Sequence, residues 1–330
     1  HTTVVMSCRA RLARNIAGFP FVNRATDSQR HELLNLSRSV LLGSDLAKGM
    51  IWVDLHRATE HDRNLLLERH LISRNHLNSE VERAVAVSGD ETLSIMVNEE
   101  DHLRMQVLAP GLQLHQAYQR LNEVDDVIES KIDYAYSHRW GYVTACLSNI
   151  GTAVRFSVMM HLPALKITNE IDRVRRAAKD MHLAVRGYYG EGSESAGDLY
   201  QISNQVTLGR PEAELLGDFQ DTIIPRIIEY EHQARRVLVE RNANLLDDRV
   251  HRALAVLRSA RLLGTEEAMK LLSRVRLGLH LNRLKEVDGE ALNRLFLQIQ
   301  PAHLRQHAGL NLSTEQRRAA RATLVRQALS

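Results

Sequence analysis

The stretch Thr92-Leu93-Ser94-Ile95-Met96-Val97-Asn98-Glu99-Glu100-Asp101-His102-Leu103-Arg104-Met105-Gln106-Val107-Leu108 places a strand-like run, a charged turn and a second strand-like run end to end. Three carboxylates, an imidazole and a guanidinium fall within six residues, 99–104. A solvated acidic turn is the ordinary reading of such a cluster. Arginines elsewhere change its weight. Arg9 and Arg11, Arg155 and Arg186 sit beside small or glycine-rich segments, and a lone cysteine lies in Thr144-Ala145-Cys146-Leu147-Ser148-Asn149. A carboxylate-rich turn with dispersed arginines describes a site where a cation, or a cationic guanidine, faces a polyanion.

Composition narrows the field. The chain has 330 residues, 44% of them hydrophobic, enough for a substantial core and two domains. Net charge is only +3, so whole-chain charge gives no argument for nucleic acid. The charge is uneven: residues 226–330 hold 19 Lys and Arg against 11 Asp and Glu, and residues 1–225 hold 24 against 29. A basic C-terminal third suits an anionic partner, but no groove-reading motif supports DNA or RNA. Cys8 and Cys146 have neither CxxC nor zinc spacing, which fits a reducing, cytoplasmic compartment. No run of 18 apolar residues and no secretory leader is visible, so neither a membrane span nor export is expected.

A short strand over 3–7 leads into Ser7-Cys8-Arg9-Ala10-Arg11-Leu12-Ala13-Arg14-Asn15. Helical spacing covers 26–42 and 60–70, with a strand at 50–53 between them. Runs 84–87 and 92–97 flank Ser88-Gly89-Asp90-Glu91, a hairpin signature, and 104–108 continues as strand. A long helix spans 112–132, with Leu114, Tyr118, Leu121, Val124 and Ile128 on one stripe. Strand-like runs follow at 142–146, 155–160, 183–187 and 199–206, with a helix over 168–181. The loop Tyr188-Tyr189-Gly190-Glu191-Gly192-Ser193-Glu194 is one that small residues leave mobile. From Pro211 onward the pattern is helical, and the strand-to-helix change near residues 211–235 marks the domain boundary.

The arginines carry the first chemical argument. Arg9 and Arg11 alternate, so on a strand both point to one face. Guanidinium forks match phosphate oxygens and stay charged. Arg9, Arg11, Arg104, Arg155 and Arg186 together could hold a nucleoside triphosphate, although neither a P-loop nor the motif set of ordinary protein kinases is present. The carboxylates carry the second. A guanidinium substrate needs carboxylates to orient it and a base to draw off a proton, and Glu99, Glu100, Glu191 and Glu194 are candidates. Cys146 is either a packing residue or, near arginines, a thiol biased toward thiolate.

Four motifs, the run 7–15, Asn98-Glu99-Glu100-Asp101-His102-Leu103-Arg104, Cys146-Leu147-Ser148-Asn149-Ile150-Gly151-Thr152 and Arg186-Gly187-Tyr188-Tyr189-Gly190-Glu191, occur in the order of the phosphagen (guanidino) kinase catalytic domain. Further stretches make the chain most similar to the bacterial protein-arginine kinases, the McsB type. They are His70-Leu71-Ile72-Ser73, Pro110-Gly111-Leu112-Gln113-Leu114, 157–165, Gly190-Glu191-Gly192-Ser193-Glu194 and Gln201-Ile202-Ser203-Asn204-Gln205.

This resemblance implies an α+β fold: an antiparallel sheet flanked by helices over 1–225, then an all-α domain over 226–330 that dimerises and binds phosphoarginine. It implies ATP contacts at Ser7, Cys8, Arg9, Ala10 and Arg11, at His70 and Arg104, at Arg155, Phe156, Ser157, Val158 and Met159, and at Arg186, Gly187, Tyr188, Tyr189, Gly190 and Glu191. Glu100 and Glu191 match the carboxylates at the guanidinium, with Glu99 and Glu194 as further substrate contacts, and Cys146 matches the substrate-contacting cysteine. Mg²⁺ is expected on the ATP phosphates rather than on protein ligands. Expected partners are protein substrates bearing arginine, a second copy of the chain, an activator of the McsA type and Clp protease machinery. The helical domain that precedes this core in free-arginine and creatine kinases has no counterpart before the first motif, which favours an open guanidine site. Kinases of free guanidines and a non-catalytic phosphoarginine scaffold are the competing readings.

Three departures stand out. Cys8 replaces a second serine, and Leu147-Ser148 replaces Pro-Thr after the cysteine. In the C-terminal phosphoarginine motif, Arg318 replaces an aspartate between Arg317 and Arg321. Arg317 and Arg321, at i,i+4, still share a helix face.

Overall fold

The computed structural model describes residues 2–43, 49–188 and 196–330. Its first half contains β1 (Val5–Arg14), α1 (Asp27–Gly43), β2 (Met50–Asp54), α2 (Glu60–Glu68), α3 (Arg74–Asn78), β3 (Ala84–Ser88), β4 (Leu93–Val97), β5 (Leu103–Pro110) and α4 (Leu114–Glu129). A short hairpin follows, β6 (Tyr136–Ser137) and β7 (Gly141–Tyr142), and then β8 (Val154–His161), α5 (Pro163–Ile167), α6 (Ile171–Asp180), β9 (Leu183–Arg186) and β10 (Leu199–Asn204). The rest is helical: α7 (Glu212–Gly217), α8 (Ile224–Arg241), α9 (Ala243–Ser259), α10 (Thr265–His280), α11 (Gly289–Gln298), α12 (Pro301–Ala308) and α13 (Thr314–Ala328). Among the described residues, no helix is long and apolar enough to cross a membrane.

Eight strands pair antiparallel in the order β2-β3-β4-β5-β1-β8-β10-β9. The pleat sends successive side chains to opposite faces, and the sequence of β1 uses this fully. Cys8, Ala10 and Leu12 are buried in the apolar core, as are Met105 and Val107 on β5 and Phe156 and Val158 on β8. Helix α4 covers that face with Leu114, Ala117, Leu121, Val124 and Ile128, and its Tyr118 ring meets Phe156 edge-on at 5.5 Å. The other face is polar in the centre. At the β3–β4 end, Val85, Val87 and Met96 form a small separate core with Leu55, Leu71 and Ile72 near α2 and α3.

Several expected elements are trimmed. The helix expected over 112–132 is α4, Leu114–Glu129. The one expected over 168–181 is preceded by a separate turn of helix, α5, and begins at Ile171. Strand does not run over 142–146: β7 ends at Tyr142, and Cys146 precedes a 3₁₀ turn, Leu147–Asn149. Helix α2 stops at Glu68, leaving His70 at φ 59° beyond it. The short α3 carried no visible signal. Residues 225 and 226 lie inside α8, and one apolar cluster runs from Val4 to Leu329.

Buried carboxylates join the sheet to the helices. Glu68, at the end of α2, accepts the first amides of α12, Ala302 at 2.7 Å and His303 at 3.0 Å. Glu231 of α8 accepts the Ala164 and Leu165 amides at the start of α5. Both satisfy orphan helix donors with negative charge at the positive end of the dipole. Arg14 does similar service at the other end of β1. Its guanidinium reaches Asp125 of α4 at 2.6 Å, donates to the Ala13 and Thr152 carbonyls, and lies 3.5 Å from the centre of the Tyr142 ring. Arg14 and Asp125 are 2% and 5% exposed, so neither charge has water to fall back on. Asp125→Ala is expected to cost about 3–5 kcal/mol by stranding the Arg14 charge. Urea denaturation measures this, and an unchanged midpoint contradicts the assignment.

Candidate active site

Register assembles the polar face. On β1, Ser7, Arg9 and Arg11 alternate away from the core. Arg9 pairs with Ser157 of β8, and Arg11 pairs with Gln106 of β5 and Arg155 of β8. Ala13 on the same face pairs with Arg104. Met159 and Ser157 pair with Gln201 and Ser203 of β10, and Gln201 pairs with Arg186 of β9. Directly paired residues of antiparallel strands share a face. Arg9, Arg11, Arg104, Arg155 and Arg186 therefore stand on one face of five adjacent strands.

These charges feel one another. Burial, then the fields of Arg155 and Arg186, pull Arg9 down to about 10. Burial and Arg9 pull Arg11 down, Glu99 and Glu100 oppose them, and it settles at about 10. Both stay cationic at neutral pH. Arg9 Nε and Nη1 make long 3.4 Å bonds to Ser157 and Gln106. The buried Arg11 Nε has no hydrogen-bond partner among the described residues. Arg155 donates to the Asn204 carbonyl at 3.1 Å. Guanidiniums gathered on one face, Arg9 on long bonds and Arg11 with an unmatched Nε among the described residues, make a receptor for a multivalent anion.

A cleft lies beside Arg9, lined also by Ser7, His70, Met159, Ser157 and Gln201. His70 meets the Tyr188 ring edge-on at 5.1 Å. Burial, then Arg9, lowers the imidazole to about 4, so His70 is neutral at pH 7. Cys8, also expected at ATP, is buried on the core face of β1 yet borders this cleft; the side chains of Ala10, Phe156 and Val158 alternate into the core. Cys8 Sγ accepts the Gln113 amide at 3.2 Å, and burial pushes its thiol up to about 11. Gly187 and Tyr188 are buried at the end of β9.

The acidic turn divides its labour. Asn98 takes a left-handed φ of 61°, which asparagine tolerates. Glu99, expected at the substrate, has its side chain fully buried: it pairs with Arg104 at 2.6 Å and accepts from Ser73 Oγ and the Glu100 amide. Asp101 turns inward to Asn15 Nδ2 and the Ala145 amide, both at 2.7 Å. His102 Nδ1 accepts the Ile16 amide at 2.9 Å, and its Nε2 donates to the Pro20 carbonyl at 2.8 Å. Glu100 is the residue of the turn left exposed.

The Asp101–Ala145 bond also positions the cysteine. It ties the residue after Glu100 to the residue before Cys146, so the exposed carboxylate and the half-buried thiol lie on neighbouring loops. Cys146 Sγ is 3.0 Å from Ser148 Oγ. Thr207 anchors the far side of this loop through the Ser148 and Ile150 carbonyls. Gly151, at φ 111°, passes so close that a Cβ there would sit 2.5 Å from the Thr207 carbonyl oxygen. Tyr189, Gly190, Glu191 and Glu194 lie outside the described residues. Arg317 and Arg321 serve different partners on α13: Arg317 donates to the Leu312 carbonyl and Thr314 Oγ1, and the buried Arg321 to the Ile299 and Leu263 carbonyls.

Residues 36–234 match the family described as ATP:guanido phosphotransferase, C-terminal catalytic domain, and residues 243–330 match the protein-arginine kinase McsB C-terminal domain. The chain is 42% identical over 330 residues to the protein-arginine kinase of Halothermothrix orenii, across 99% of this chain and 93% of that protein. It is 43% identical over 333 residues to that of Symbiobacterium thermophilum, across 100% and 94%. The chain belongs to the protein-arginine kinase family. Solved relatives share the fold. The duplicated taurocyamine kinase from Schistosoma mansoni with bound transition state analog components has a TM-score of 0.64 and 29% identity, over 70% of this chain and 33% of that one. Lombricine kinase has a TM-score of 0.62 and 26% identity, over 70% and 67%.

Sequence reasoning missed the supports of this protein-arginine kinase family site: Ser73, Gln106, Asn15 and Thr207. Their partners lie far off in sequence, at separations of 26 for Ser73–Glu99 and 86 for Asn15–Asp101, beyond any local pattern.

Three histidines, His76 buried and His70 and His280 half-buried, set an acid limit. Burial first, and then nearby arginines, hold His70 and His280 at about 4; burial, with Arg83, holds His76 at about 3. Unfolded, each titrates near 6.5. As pH falls, the unfolded chain binds these protons before the folded one. Stability is therefore full above about 6.5 and lost as pH falls from about 6.5 to about 4 for His70 and His280 and to about 3 for His76. The urea midpoint is expected to be lower at pH 5 than at pH 7.5, and His76→Asn is the variant that should flatten this drop. Equal midpoints at the two pH values contradict the account.

Proposed function

We propose that this chain transfers the γ-phosphoryl group of ATP to the guanidinium of arginine residues in proteins. A guanidinium nitrogen gives up a proton, forms an N–P bond to the γ-phosphorus, and ADP leaves with the electrons of the broken O–P bond. The observation that carries the reading is the convergence of Arg9, Arg11, Arg104, Arg155 and Arg186 on one sheet face, with exposed Glu100 beyond Arg104.

Each residue has a task in this reading. Arg9, Arg11, Arg155 and Arg186 bind the phosphates and spread the charge that builds on the transferring group, the dominant electrostatic requirement of phosphoryl transfer. Glu99 fixes Arg104 in place rather than touching the acceptor. Glu100 receives the acceptor guanidinium and accepts its proton, since a guanidinium is a poor nucleophile until deprotonated. Cys146, held beside Glu100 through Asp101, contacts the same group. Glu191 is proposed as the second carboxylate and Glu194 as a further contact, on their sequence match alone. Guanidinium groups cannot ligate a cation, so Mg²⁺ fits as a passenger of the ATP phosphates, where it supplies charge neutralisation.

A cytoplasmic location, a homodimer, an activator of the McsA type and Clp protease machinery belong to the same reading, as does a division into a catalytic part, 1–225, and a dimerising, phosphoarginine-binding part, 226–330. For Arg321 to grip a phosphoryl group it must first release the Ile299 and Leu263 carbonyls.

Incubation with ATP, Mg²⁺ and either an unfolded protein or free arginine tests the substrate class. Acid-labile phosphate is expected on protein; label on free arginine alone overturns the reading. Glu100→Gln should lower kcat by about 10²–10⁴-fold, the usual worth of a positioned base, with the KM for ATP within about threefold. Wild-type kcat in that variant removes Glu100 from the chemistry.

A further inference from the structure

A second cation-rich cavity lies among α3, α5, α9 and α10. Its volume is about 780 Å³, within the range of small-molecule sites. It shares no lining residue with the cleft beside Arg9. Arg74 of α3, Lys166 of α5, Arg249 of α9, and Lys270 and Arg274 of α10 line it, against the carboxylates of Asp198 and Glu266. Both halves of the chain thus contribute positive charge to one hollow.

Among the described residues, Asp198 and Glu266 leave Arg249, Lys270 and Arg274 without a paired carboxylate. Asp198 is already divided: one oxygen pairs with Lys166 at 3.0 Å, and the other accepts Ser273 Oγ at 2.6 Å. Glu266 sits in the first turn of α10, where the helix dipole already favours its charge. Like charges facing one concavity repel and focus a positive potential there. Half-buried Ile167 adds an apolar group to the wall, with Met269 buried behind the lining.

We propose that this cavity binds a small organic polyphosphate of nucleotide size, distinct from the ATP consumed in the reaction. The volume is far more than an orthophosphate needs, the cations supply a polyphosphate chain, and the apolar wall accepts a ring or alkyl part. The site is wired to the rest of the fold through Asp198. Ser273 Oγ is also 2.9 Å from His161 Nε2 at the end of β8, and His161 Nδ1 accepts Arg276 Nη1 at 2.8 Å. Arg276 in turn holds the Thr2 and Thr3 carbonyls ahead of β1, the strand that carries Arg9 and Arg11. An anion that draws Lys166 away from Asp198 acts on this chain of bonds.

Calorimetric titration of the full chain with inorganic tripolyphosphate, without metal, tests the site. Wild type should bind two equivalents, one on the arginine face and one here. Lys270→Glu/Arg274→Glu should bind one, and Arg155→Ala should also bind one by losing the other site. The KM for ATP of Lys270→Glu/Arg274→Glu should stay within about twofold of wild type, which separates loss of this site from loss of fold. A single equivalent on wild type, or two on the Lys270/Arg274 variant, overturns the proposal.

Discussion

The constraint on which this molecule depends is the alternation of an antiparallel sheet with one apolar face. Cys8, Ala10 and Leu12 can enter the core only if Ser7, Arg9 and Arg11 face away from it. The partners then follow: Gln106 and Arg104 on one side, Ser157 and Arg155 on the other. A slip of one residue would send guanidiniums under α4 and apolar groups into the cleft, so the register is strongly specified. The same alternation collects five guanidiniums on one face, Arg9 among them on long bonds. Folding places the arginines together, and an anion relieves what folding has assembled.

Around that face, polar groups are spent on position. Of the acidic turn, Asn98, Asp101 and His102 are buried and committed to backbone partners or to Asn15, and Glu99 is committed to Arg104. This leaves Glu100 held out at the rim by a rigid turn. Asp101 serves two loops at once, which is why a thiol 46 residues further along the chain stands near that carboxylate. The helical part is joined to this assembly by buried charge as well as by apolar packing, through Glu68 on α12 and Glu231 on α5.

Much of this was legible before any coordinates. Alternating Arg9 and Arg11, the stripe of α4 and the hairpin around Ser88-Gly89-Asp90-Glu91 are local patterns, and local patterns predict strands and helices. Membership of the family was legible too, because its motifs are contiguous runs. What escaped was non-local. Nothing near Glu99 announces that its carboxylate is claimed by Arg104 and Ser73, and nothing near Cys146 announces a 3₁₀ turn braced by Thr207. Phe156 and Val158 belong to a motif yet point away from the cleft, because a motif names positions and the pleat assigns faces. Arg321 shows the same limit: i,i+4 spacing gave it a face shared with Arg317, and the carbonyls of Ile299 and Leu263 gave it a buried partner set.

The most direct measurement is a crystal structure with ADP and Mg²⁺ bound. The account places the diphosphate on the polar face of β1, β8 and β9, within hydrogen-bond distance of Arg9, Arg155 and Arg186, with Arg11 Nε gaining an acceptor. A nucleotide bound elsewhere, with these guanidiniums unengaged, would contradict it.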